Sequence, residues 1–129
     1  MPNFNEVMRK EEVVLTNIDR TIGRLQARQK LAECEVEEQV SKKAVRLLEA
    51  TRCEVVRVIE CLVNIQCNVS KVINRAIGQF KFMEEIASCE VEEDIYKDTR
   101  ACLDIILKDY VNTKQKLPKM WMVCEVIPV

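Results

Sequence analysis

Leu31-Ala32-Glu33-Cys34-Glu35-Val36-Glu37-Glu38-Gln39-Val40 is matched further along the chain by Ile86-Ala87-Ser88-Cys89-Glu90-Val91-Glu92-Glu93-Asp94-Ile95. The offset is 55 residues, and agreement continues through Lys42/Lys97, Leu48/Leu103 and Glu49/Asp104. In both copies acidic residues come first and basic residues about a turn later. That order suits a helix N-terminus, where aligned peptide dipoles present partial positive charge. The repeat predicts helix starts near 33 and 88 and, by the logic of internal duplication, two helix hairpins of similar plan.

Outside the repeat the apolar residues recur at helical spacings. Asn3 and Glu6 have the spacing of a capping box, and Phe4, Val7, Val14, Ile18, Ile22 and Leu25 form one stripe behind it. From Val36 the stripe continues through Val40, Ala44, Leu47/Leu48, Val55, Ile59, Leu62, Val69, Ile73, Ile77 and Phe80, with no glycine or proline between residues 24 and 77. A single rod would leave this stripe in water, so the chain must fold back on itself. Helix propensity is weakest at Asn64-Ile65-Gln66-Cys67-Asn68-Val69-Ser70, which is where the turn is expected, with Ser70 as a possible cap. The fourth stripe is Val91, Ile95, Cys102, Leu103, Ile106 and Tyr110, ending near Lys116 before Pro118. The reading is all-α: an antiparallel bundle of about four helices, at 3–30, 33–63, 69–86 and 88–116. Residues 1–116 form the bundle domain and 117–129 a short apolar C-terminal tail carrying the single tryptophan, Trp121.

Composition agrees. Apolar residues make up 48% and charged residues 32% of the 129, with two glycines and three prolines, too few turn residues for a strand-rich fold. Net charge is −1 with both signs mixed along the chain, so no basic footprint for nucleic acid or for an anionic membrane is visible. The longest uncharged run of the least charged segment, Cys61 to Ser70, is far short of a membrane span. No basic-then-apolar leader opens the sequence, which predicts an intracellular protein, cytoplasmic or nuclear, with its seven cysteines reduced. Asn68-Val69-Ser70 matches a glycosylation sequon but lies in an apolar helical stretch, where a chance match is the better reading.

The chemistry-bearing residues point away from catalysis. The chain has no histidine, which removes Ser-His and Cys-His nucleophile pairs and the Glu-x-x-His ligands of di-iron bundles. No two cysteines stand at Cys-x-x-Cys spacing, and Gly23 and Gly78 stand alone rather than in a phosphate loop. No catalytic, metal or cofactor site is therefore assigned. Most of Cys53, Cys61, Cys67 and Cys102 are expected as buried thiols, with Cys34 and Cys89 equivalent at helix starts. Asn64, Gln66, Asn68 and Asn74 admit two readings: solvated amides around a turn, or a buried polar layer setting helix register. The stretch from Cys53 to Ile77 is apolar on more than one face, which marks Ile65 and Val72 as candidate interface residues. Trp121, Met122, Val126 and Ile127 join them from the tail, which is expected to fold over the bundle end or to self-associate.

These features predict a non-enzymatic assembly or adaptor protein that acts through coiled-coil-like helix–helix contacts with protein partners, itself included as a homo-oligomer. Two alternatives are a helical carrier of a hydrophobic small molecule and an inhibitor or effector that occupies a partner's helix groove.

Overall fold

The computed structural model describes residues 4–115, with side-chain environments over 10–112. Four helices account for nearly all of that span: α1 (Phe4–Lys30), α2 (Glu35–Cys61), α3 (Ile65–Glu85) and α4 (Glu90–Gln115). Three short connections join them, so successive helices are antiparallel neighbours. α1 packs on α2 and α4, α3 packs on α4 and α2, and α2 also meets α4 across the bundle. No described helix is long and apolar enough to cross a membrane.

The repeat is visible in the helix starts. Glu37 Oε1 accepts the Glu33 backbone N–H at 3.1 Å, and Glu92, 55 residues on, accepts the Ser88 N–H at 3.0 Å. Each carboxylate reaches back to a backbone donor ahead of its helix, as a capping-box acid does. Cys34 and Cys89 sit just before the first residues of α2 and α4, the equivalent places expected for them. Glu35, Glu37 and Glu38 in one helix and Glu90, Glu92 and Glu93 in the other fill the first turns, complementing the helix dipoles.

The same 55-residue correspondence runs through the core. Val14 and Val69, Ile18 and Ile73, Leu25 and Phe80, Val40 and Ile95, and Leu48 and Leu103 are all buried pairs. One hydrophobic cluster contains members from all four helices, so the hairpins share a core. Equivalence extends to polar positions: Glu11 and Gln66 are both buried, as are Ser41 and Tyr96. Burial, with a smaller effect of the nearby Glu92 charge, pushes the Tyr96 hydroxyl up to about 12.

The second connection differs from expectation. It occupies residues 62–64, and residues 65–70 are already helical. Leu62 and Asn64 both adopt left-handed backbone, at φ 56° and 46°, which reverses the chain in three residues. Asparagine tolerates that conformation and leucine bears a cost of roughly 1–2 kcal/mol. The Asn68 side-chain amide donates to the Val63 carbonyl at 3.0 Å and closes the turn from inside α3. Ser70 does not cap α3: its hydroxyl donates to the Gln66 carbonyl one turn back. The amides of Asn64 and Asn74 are exposed and that of Asn68 is half-buried at the turn, so no buried register layer is built from them. The buried amide is Gln66, 1% exposed, and neither of its side-chain polar atoms has a hydrogen-bond partner among the described residues.

Two stability outcomes follow. Leu48→Ala and Leu103→Ala, at equivalent and fully buried sites, each cost about 2–5 kcal/mol in denaturant titration. Loss at only one of them contradicts the shared core. Gln66→Met removes a buried amide while keeping side-chain length, and raises stability by about 1 kcal/mol; a destabilised variant shows that the amide is satisfied.

Candidate interaction surface

Antiparallel packing places both hairpin tips, residues 31–34 and 86–89, at one end of the bundle. That end exposes large apolar side chains at matched positions. Leu31 is 79% and Ile86 63% exposed, Val36 and Val91 are exposed beside them, and Phe82 at the end of α3 is 59% exposed. The two valines thus leave the inward stripe to which their spacing assigned them: each precedes the first buried turn of its helix, at Val40 and Ile95. Side chains of this size in water are ordinary when scattered; five at one end of a small bundle make that end the candidate contact surface.

The two tip segments themselves are predominantly acidic, while Lys81 stands next to Phe82 and acts with Lys97 on Glu84. Residues 30–38 and 85–94 contain nine carboxylates against a single cation, Lys30. Glu37 and Glu84 are spoken for. Arg28 donates to Glu37 at 3.1 Å and reaches Asp98 at 3.5 Å, while Arg100 holds Glu84 at 2.8 Å and Asp104 at 3.3 Å. The Glu33 backbone N–H, seconded by Arg28, holds the Glu37 carboxyl below the usual carboxylate range, and Arg100 does the same for Glu84. A carboxylate lowered in the folded state contributes stability that is present above its ordinary pKa and lost as pH falls through the lowered value. These pairs pin the tips to their neighbours. Glu33, Glu35, Glu38, Glu85, Glu90 and Glu93 are exposed and form an acidic rim.

A second feature is the α1/α4 seam. Clefts of 70 and 140 Å³ lie along it, the first lined by Val13, Asn17 and Tyr110, the second by Thr21, Arg24, Arg28 and Cys102. In the second, an Arg24 N–H contacts the Cys102 sulfur at 3.6 Å. A wider open depression of 540 Å³ lies on α1 alone, beside Gly23, Gln26 and Lys30. Among the described residues no group of three metal-ligating side chains converges.

The sequence-predicted interface residues separate. Val72 is 7% exposed and belongs to the core, so the bundle uses it and no partner reaches it. Ile65 is half-buried against the same core. The turn at 62–64 explains both: it splits the apolar stretch between α2 and α3, and each part buries its own residues, leaving Leu62 and Val63 exposed in the turn itself. Trp121, Met122, Val126 and Ile127 lie outside the described residues. The thiols are also redistributed. Among the described cysteines only Cys67 is buried; Cys102 is partly covered, Cys34, Cys53, Cys61 and Cys89 are exposed, and none of these six forms a disulfide. Cys53 and Cys61 lie on the outer side of α2, each two residues from an inward position, Val55 and Ile59 respectively, so neighbouring burial does not extend to them. Leu31, Ile86 and Phe82 were not singled out from sequence, although the first two open the repeated segment.

The chain matches no protein family, no curated protein and no solved structure.

Thiol accessibility is directly measurable. In the native protein, peptide-resolved alkylation labels Cys34, Cys53, Cys61 and Cys89 promptly and Cys67 last, on the time scale of unfolding. Labelling of Cys67 as fast as Cys34 contradicts this burial pattern.

Proposed function

We propose that this chain is a non-enzymatic assembly or adaptor protein that works through helix–helix protein contacts, self-association included, with the hairpin-tip end as its contact surface. The observation that carries the reading is the matched exposure of Leu31 and Ile86, with Val36, Val91 and Phe82 around them, at one end of a bundle built on a single shared core. Burying those side chains against another protein is worth roughly 25 cal/mol per Å² of apolar area removed from water. The acidic rim restricts which surfaces can approach, since like charge disfavours wrong pairings. Small-molecule carriage is the weaker reading: clefts of 70 and 140 Å³ on a partly charged seam fall below the ~300–1,000 Å³ of ordinary ligand pockets, and the 540 Å³ depression is an open groove lined by α1 alone, outside the bundle core.

Sedimentation equilibrium of the full chain tests the proposal. The expected weight-average mass rises above the 15.0 kDa protomer with concentration, and Leu31→Ser/Ile86→Ser returns it to 15.0 kDa with helical circular dichroism unchanged. A 15.0 kDa particle at every concentration, or association indifferent to the tip substitutions, refutes it.

A further inference from the structure

We infer that the tip end of one copy receives the basic apolar segment 114–123 of a second copy, so that the protein assembles head to tail. This rests on the tip being a contact surface and names its occupant. Three observations converge on it. The tips are apolar at Leu31 and Ile86 and acidic around them, so the occupant must be apolar and basic. Two stretches of the chain fit that description: residues 61–83, with Lys71, Arg75 and Lys81, are folded into the bundle as the turn and α3, which leaves residues 114–123. There Lys114, Lys116 and Lys119 lead into Met120, Trp121, Met122 and Val123, with Leu117 among them, and no acid occurs between Val111 and Cys124. Tryptophan is a common interface anchor, and lysines beside it would face the glutamate rim.

The third observation is position. α4 starts at the tips with Glu90 and ends at Gln115, at the opposite pole. Twenty-five helical steps of 1.5 Å separate those poles by roughly 38 Å. Trp121 is six residues beyond Gln115, a reach of roughly 21 Å even when fully extended, so it cannot cover the tips of its own bundle. It can reach those of the next. Two tips meeting each other would instead bring identical acidic rims together, which is repulsive. A head-to-tail contact is heterologous, joining different surfaces of identical chains. It leaves one tip and one tail open and produces a series of lengths unless it closes into a ring.

Complementation in the full-length chain tests this. The tip variant is Leu31→Ser/Ile86→Ser, with Glu35→Lys/Glu90→Lys as a second one that removes charge but no apolar area. The tail variant is Lys116→Glu/Lys119→Glu/Trp121→Ser. Each variant alone is expected at 15.0 kDa by sedimentation equilibrium, with helical circular dichroism retained. An equimolar mixture of tip and tail variants restores one intact contact and gives a species of twice the 15.0 kDa protomer mass, and no longer one. Association of the wild type weakens about 10-fold or more between low and high salt, because opposite charges meet across the contact. A tail variant that associates like the wild type overturns the head-to-tail contact while leaving the tips as a contact surface. A mixture that stays at 15.0 kDa also overturns it. A wild type that is monomeric at every concentration removes the contact together with the reading it rests on.

Discussion

Neither hairpin of this protein can bury its own apolar stripe. α1 with α2, and α3 with α4, are each two-helix units, and a pair of helices leaves half of every inward face in water. The fold follows from solving that problem once, by setting two similar hairpins against each other. Leu48 and Leu103, Ile18 and Ile73, and Val14 and Val69 occupy corresponding places in a cluster to which all four helices contribute. Packing between the hairpins, including the approach of α2 to α4 across the bundle, supplies the stability that helix propensity alone does not.

That solution has a consequence at the surface. Because successive helices are antiparallel, joining the hairpins brings both of their tips to one end. The repeated segment that starts α2 and α4 so well, with carboxylates on backbone donors and acids on the helix dipole, also delivers Leu31, Ile86, Val36 and Val91 to that end in duplicate. One sequence device thus sets the helix boundaries and builds an apolar patch within an acidic rim. The charged pairs of Arg28 and Arg100 lie just below the patch and tie each tip to a neighbouring helix, so the patch is carried on ordered elements.

Much of this was legible in the sequence. The repeat announced two hairpins, the scarcity of glycine and proline announced helices, and the ends of α1, α2 and α4 fall within a few residues of the expected places. The connection between α2 and α3 was misplaced for a physical reason. Its reversal depends on left-handed backbone at Leu62 and Asn64, and a leucine gives no propensity signal for that conformation. The amides clustered at 64–70 include Asn68, which serves the turn from within α3. A turn expected late makes the stretch around Val72 look too apolar for one helix to bury, and the spacing then points Val72 to an interface. In the structure it is core. Outward-facing cysteines and valines escaped for a related reason: a stripe read by spacing alone does not say where the inward face begins, and Val36, Val91, Cys53 and Cys61 lie just beyond its edge.

The central claim is that the two hairpins share one core and have no stability apart. Native-state amide hydrogen exchange followed across low denaturant tests it residue by residue. Slowest exchange is expected at buried turns of both hairpins, around Leu48 and Ile18 in one and Leu103 and Ile73 in the other, with one common opening free energy equal to that of global unfolding. Persistent protection of one hairpin while the other exchanges freely would contradict the account.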